Sequence, residues 1–242
     1  MDHAMIRHLR VLPDLDALSA EAAEIMARAI GQRTGDSFAI ALSGGNTPRG
    51  AYELLARNHR DTLRWEHVHF FWGDERYVPH DSPQSNYLMA RRAMLDALPI
   101  PEGNIHPVPT AMDDPERSAL RYEAALREHF GGDIPRFDLS LLGIGDDGHT
   151  ASLFPGSPAL DERSRLAVVT QAPVEPVTRI SLTFPVLNAA RLTLVLAAGE
   201  SKRPIIREIF DEPERAREHY PAARLAPGGE IIWLVDAAAG AR

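Results

Sequence analysis

The amino-acid sequence predicts an α/β fold: a mostly parallel sheet covered by helices on both faces, as one domain over residues 1–242. Three observations carry this. Short apolar runs of strand length alternate with longer segments of helical periodicity. Several runs, "FAIAL" and "VHFFW" among them, are continuously apolar, as expected of strands buried on both faces. The chain shows no composition break, internal repeat or low-complexity linker, and 242 residues can fill one sizeable core.

Each element follows from its own pattern. Residues 16–30 read as a helix, with Leu18, Ala22, Ile25, Met26 and Ile30 near one face and Gly31 as a stop. "FAIAL", 38–42, is a buried strand. Thr47 and Pro48 read as N-cap and first helical residue of a helix through about residue 57, carrying Tyr52, Leu54 and Leu55. "VHFFW", 68–72, is a second strand ending at "GDER". Residues 85–98 read as a helix with Tyr87, Leu88, Met94, Leu95 and Leu98. The proline-rich stretch 99–112 reads as loop, with an extended piece at "NIHPV". "DDPERSALRYEAALREHF" opens with Asp and Pro and spaces Tyr122, Leu126 and Phe130 four apart, which makes a helix. "FDLSLLGIG" is the third clear strand. "RLAVVTQ" and "TRISLTF" read as further strands and "PVLNAA" as a helical turn. "LTLVLAAG", 192–199, is a strand, "SKRPIIREIF" the helix after it, and "EIIWLVD", 230–236, the last strand. The whole resembles a modified Rossmann-type sheet.

Composition narrows the function classes. Apolar residues at 44% and charged residues at 25% are ordinary for a globular protein in water. The absence of cysteine excludes disulfides, thiolate zinc sites, iron–sulfur clusters and cysteine nucleophiles. "MDHAMIRHLR" lacks the basic-then-apolar layout of a secretory signal, and no apolar run reaches bilayer length. A cytoplasmic location with no membrane partner is therefore expected. A net charge of −8 argues against nucleic acid as a partner and means that an anionic ligand needs cations placed locally. The oligomeric state stays open between monomer and homodimer.

Ligands of open parallel sheets bind beyond the carboxyl ends of the strands. Four strands here end in polar sequence: "SGGNTP", "GDER", "GDDGHT" and "AAGESK". Four such exits on one sheet edge suggest a single site. Gly44 and Gly45 let the backbone approach a ligand, and the helix after Pro48 offers free N–H groups to an anion. The pattern is neither a dinucleotide fingerprint nor a nucleotide-triphosphate loop, so a single phosphate suits it better. The bland alternative is an ordinary glycine turn. Asp74, Glu75 and Arg76 read either as a surface salt-bridge cluster or as a functional strand exit. Lys202 sits in the first turn of a helix, where the dipole disfavours a cation, and Arg179 opens the "RISLTF" strand. Both are candidate phosphate partners, with simple solvation as the alternative.

His149 is the strongest catalytic candidate, as the one histidine in a glycine-flanked strand exit. An imidazole's ordinary titration range suits general-base work near neutral pH, and Asp147 stands two residues away to orient it. His67 and His69 alternate onto one strand face and could pair on a metal, but no third ligand with suitable spacing is visible. No metal and no cofactor are expected. The chain has no G-x-S-x-G elbow, so a serine hydrolase triad has no support.

"SGGNTP", "GDERYVPHDSPQSN", "GIGDDGHTASLFP", "RISLTFPVLNAA" and "AAGESK", in this order over residues 43–202, together resemble the 6-phosphogluconolactonase family. The resemblance implies hydrolysis of 6-phospho-D-glucono-1,5-lactone to 6-phosphogluconate, the second step of the oxidative pentose phosphate pathway. It also implies a fold shared with glucosamine-6-phosphate deaminases. On this reading the phosphate lies on Ser43, Gly44, Gly45, Asn46 and Thr47 with Lys202 and Arg179. His149 is the base, with Asp147 setting its tautomer, Asp74 organising Arg76 or the sugar hydroxyls, and Arg76 or loop N–H groups meeting the oxyanion. Two alternatives compete. A deaminase-like isomerase would carry a glutamate in the loop about where Phe154 stands, and an apolar ring moves no protons. A non-catalytic sugar-phosphate sensor usually joins a DNA-binding unit, for which the chain has neither spare length nor basic patch.

Overall fold

The computed structural model describes residues 7–33, 35–132 and 134–241. The chain begins with β1 Arg7–Leu12, α1 Leu15–Gly31, β2 Phe38–Leu42, α2 Asn46–His59, β3 Val68–Trp72 and β4 Asp74–Arg76. It continues through α3 Asn86–Ala93, α4 Pro115–Phe130, β5 Leu139–Gly143, β6 Ala167–Gln171, β7 Thr178–Leu182 and α5 Phe184–Leu187. It closes with β8 Leu192–Ala197, α6 Arg203–Asp211, α7 Pro213–His219, β9 Glu230–Asp236 and α8 Ala237–Gly240.

Six strands form a parallel sheet in the order β1-β9-β8-β5-β2-β3. All five residues of β2 are buried, which requires cover on both faces. Winding runs outward from β2 to β3, then reverses to β5 on the other side of β2. The β2–β5 ladder joins just Ile40 with Leu139 and Ala41 with Ser140. A crevice therefore opens between Ser43 and Gly143, at the topological switch point where ligands of such sheets bind.

Helix ends follow their sequence signals where capping is local. Asp14 caps α1 by accepting from the Ala17 N–H, and Leu18, Ala22, Ile25 and Met26 are buried on one face. Asp114 caps α4, Pro115 opens it, and Gly131 at φ 63 ends it. Two helices differ from expectation. The cap of α2 is Gly45 at φ 103 and not Thr47, since the helix already starts at Asn46. The helix expected over 85–98 ends at Ala93, because Met94 leaves helical geometry at φ −147 and a 3-10 turn, Leu95–Ala97, follows.

The larger departure is a second sheet. "RLAVVTQ" and "TRISLTF" do form strands, but they pair antiparallel with each other and with β4, in the order β4-β7-β6. The residues "DER" are thus strand and not loop. Gly73 alone separates β4 from β3; its N–H donates to the Leu42 carbonyl, and its carbonyl accepts from the Leu182 N–H. One glycine thereby ties the small sheet to the carboxyl edge of the large one. No helix among the described residues is long and apolar enough to cross a membrane.

Candidate active site

A cavity of about 280 Å³ lies at that junction. Its walls come from the exits of β2 and β5 on one side and from β4 and β7 on the other.

The β2 exit is held by main chain. The Ser43 N–H donates to the Tyr52 hydroxyl at 3.0 Å, and that hydroxyl donates to the Ser43 carbonyl at 2.9 Å. Tyr52 is fully buried in α2, so the helix fixes the strand exit. A Cβ at Gly44 would lie 1.8 Å from Asn86 Oδ1, so only glycine lets the turn pass that close. No side chain caps α2, which leaves its first N–H groups available to an anion.

The β5 exit carries His149. Its Nδ1 lies 2.6 Å from Asp147 Oδ1, and the same oxygen accepts from the His149 N–H at 3.1 Å. A carboxylate is an acceptor, so Nδ1 carries the proton and Nε2 keeps a lone pair. Gly145 accommodates the ring: a Cβ there would lie 2.0 Å from His149 Nδ1. Gly148 turns the loop at φ 78 against Tyr220. Phe154 packs on the imidazole at 4.5 Å between centroids. Beyond it, the Ser152 hydroxyl donates to Asp74 at 2.6 Å, and its N–H donates to the Ser181 hydroxyl at 3.2 Å. The histidine loop is therefore stitched to the small sheet.

The β4–β7 wall holds charge. Arg76 and Arg179 are directly opposed in the antiparallel register, an arrangement that like charges disfavour. Arg179 is only 7% exposed, and its Nε is buried with no hydrogen-bond partner. Burial, then the facing Arg76, holds Arg179 below the usual arginine range, although a guanidinium stays charged at neutral pH. Asp74, 8% exposed, lines the same wall. Glu75 points away from the cavity lining and is 1% exposed. It accepts from the backbone N–H groups of Arg76, Asn86 and Tyr87 at 2.7–2.8 Å and from the Ser85 hydroxyl at 3.2 Å. Burial outweighs these donors and pushes its carboxyl up to about 7.

The structure brings Ser43, Gly44, Gly45, Asp74, Arg76, His149 and Arg179 to one cavity, with Asp147 behind the histidine. Besides Asp147, it leaves three expected residues outside the lining. Asn46 is exposed and Thr47 lies inside the first turn of α2, because the helix begins two residues earlier than a Thr47 cap requires. Lys202 lies in a 3-10 turn, Glu200–Lys202, and its Nζ binds the Asp146 carboxylate. That ammonium holds Asp146 below the usual carboxylate range. "DER" is no salt-bridge cluster either: Arg76 donates to the Gln84 carbonyl at 2.7 Å, and Glu75 is consumed by backbone donors. Asn86 and Ser152 are cavity residues that sequence reasoning passed over. The Asn86 Nδ2 donates to the Asp74 carbonyl at 2.9 Å, and its buried Oδ1 has no partner. Asn86 closes the stretch "GDERYVPHDSPQSN", just after Ser85, which caps α3.

Comparison with known proteins agrees with this architecture. A 6-phosphogluconolactonase of a Synechocystis species is 53% identical over 204 residues, covering 83% of this chain and 82% of its own. The solved 6-phosphogluconolactonase from Trypanosoma cruzi superposes with a TM-score of 0.87 at 33% identity, over 99% of this chain and 98% of its own. A solved monomeric glucosamine-6-phosphate deaminase, 22% identical, shares the fold with a TM-score of 0.81 over 96% of this chain and 98% of its own. Residues 13–233 match the family described as glucosamine-6-phosphate isomerases/6-phosphogluconolactonase, and the chain belongs to that family.

Proposed function

We propose that this protein hydrolyses 6-phospho-D-glucono-1,5-lactone to 6-phospho-D-gluconate, the second step of the oxidative pentose phosphate pathway. The observation that carries the reading is the pairing, in one cavity, of a carboxylate-oriented imidazole with two opposed arginines. The relatives named as 6-phosphogluconolactonases support it.

In this reading the phosphate takes the place that Arg76 and Arg179 leave for an anion, with the N–H groups at Gly44 and Gly45 completing its cradle. Each charge-assisted hydrogen bond contributes about 1.5–3 kcal/mol, so a few anchor a small sugar phosphate. The anchored lactone presents C1 to His149. Nε2 takes a proton from water, and the resulting hydroxide adds to C1. The oxyanion takes hydrogen bonds from backbone N–H groups of the cavity wall. The bond from C1 to the ring oxygen then breaks, and the imidazolium returns its proton to that oxygen. One water is consumed and no cofactor enters the balance. Asp147 keeps Nδ1 protonated and stabilises the imidazolium, while Asp74 accepts from sugar hydroxyls. Phe154 against His149 weighs against deamination, since an apolar ring supplies no acid for ring opening.

The test is to generate the lactone in situ and follow 6-phosphogluconate release above the spontaneous rate. Acceleration with no ammonia release from glucosamine 6-phosphate is expected. Ammonia release without lactone turnover would replace the reading by the deaminase, and tight binding of 6-phosphogluconate without turnover by the sensor.

A further inference from the structure

Away from the cavity, three histidines from three elements converge. His69 lies on β3, His106 follows the Ile105 bridge to Phe70, and His129 stands in the last turn of α4. One ring nitrogen from each lies within 4.8 Å of the others, and none of the three lines the cavity. The closest pair, His69 Nδ1 and His106 Nε2, is 3.2 Å apart. His67, which alternates with His69 on the strand, is not part of the cluster: it is turned to Arg64 and Glu66, and the two further nitrogens come from 37 and 60 residues along the chain.

The geometry points to a binding site for a zinc-class divalent transition ion on His69, His106 and His129. Tetrahedral Zn–N bonds of about 2.0–2.1 Å place two ligating nitrogens roughly 3.3 Å apart. The His69–His106 pair already stands at that separation. The third nitrogen, within 4.8 Å of the other two, has to close by at most about 1.5 Å to reach that spacing. An all-imidazole donor set selects zinc, copper, nickel or cobalt over the oxygen-seeking magnesium and calcium. Backbone holds the ligands in place: the His106 N–H donates to the Phe70 carbonyl at 2.8 Å, and Phe71 stacks on the His106 ring at 4.4 Å. His129 sits at the carboxyl end of a sixteen-residue helix, where the dipole favours a cation. The three rings are only partly buried, so an ion can enter. The ion would staple the end of α4 and the 105–108 segment to the edge strand of the large sheet, a structural role separate from the hydrolysis. With three protein ligands, water fills the fourth position.

The test is Zn²⁺ titration of the full chain after chelation, by calorimetry and thermal unfolding, with Co²⁺ as a spectroscopic probe. Expected are one Zn²⁺ per chain, a raised Tm, and visible Co²⁺ bands of imidazole ligation. His106→Gln and His129→Gln should each weaken Zn²⁺ by roughly tenfold or more, since loss of even an outer-shell partner does as much. His149→Asn should leave the binding unchanged, which separates this site from adventitious ligation in the cavity. Should His106→Gln fail to fold, His129→Gln and the Co²⁺ spectrum of the unaltered chain decide. Absence of binding, binding indifferent to both substitutions, or binding lost with His149 would each overturn the proposal.

Discussion

The β5 exit and the small antiparallel sheet face one cavity but hold their groups in different ways. His149 is partly exposed, tied to one carboxylate and given room by glycines. Arg179 is almost fully buried, opposed to Arg76 in a paired strand, with a donor left unsatisfied. A group that must gain and lose a proton each turnover needs water and a fixed tautomer. A group that supplies constant charge works better in a rigid, poorly solvated frame, where the field of an arginine is less screened. In the proposed reading, chemistry and anchoring fall to separate sheets, joined through Gly73 and the Ser152–Asp74 hydrogen bond.

Substitutions can break that division of labour. The largest effect belongs to His149→Ala, which should lower kcat by ~10²–10⁴ with KM little changed; steady-state kinetics above the spontaneous rate reads it. Arg179→Ala should act in the opposite sense, raising KM roughly ten- to hundredfold through loss of about 1.5–3 kcal/mol while kcat holds. An unchanged KM would remove Arg179 from the phosphate site. Asp147→Asn keeps an acceptor near Nδ1 but loses the charge that stabilises the imidazolium, so kcat should fall by about tenfold.

Two further substitutions probe the frame. Gly44→Ala drives a Cβ into Asn86 and should destabilise by roughly 1–3 kcal/mol, read as a lower Tm. Glu75→Gln sharpens the comparison through pH. In the folded chain the Glu75 carboxyl is raised from 4.5 to about 7, so between those values the native state holds a proton that the unfolded state has released. Glu75 therefore favours the fold below about pH 4.5, and that contribution is lost as pH rises through about 7. Thermal unfolding of Glu75→Gln should lack this part of the wild-type slope, and identical slopes would contradict it.

Much of the large sheet was legible because its strands are local statements. "FAIAL", "VHFFW" and "LTLVLA" are mostly apolar runs of strand length, and Asp114 and Pro115 mark a helix start by their own side chains. β1 was not legible: "RHLRVL" is an edge strand with His8 and Arg10 exposed and no continuous apolar run. The small sheet was hidden for another reason. β4 is three polar residues whose strand character exists only through β7, a hundred residues on. The same non-locality governs the site. Glycine and histidine at the β2 and β5 exits announce themselves, whereas the opposition of Arg76 to Arg179 is a fact of register. The pairing of Lys202 with Asp146, 56 residues away, is likewise announced by no local pattern. The histidine cluster needed β3, a loop and α4 folded together before its third ligand appeared.

The central claim is that His149 performs the chemistry and the arginine wall reads the phosphate. Its most direct test compares kcat/KM for the phosphorylated lactone and for unphosphorylated glucono-1,5-lactone in the wild type, His149→Ala and Arg179→Ala. The account predicts that His149→Ala depresses both substrates by the same factor, whereas Arg179→Ala depresses only the phosphorylated one and so erodes the preference. Equal losses on both substrates in Arg179→Ala, or an undiminished rate in His149→Ala, would contradict it.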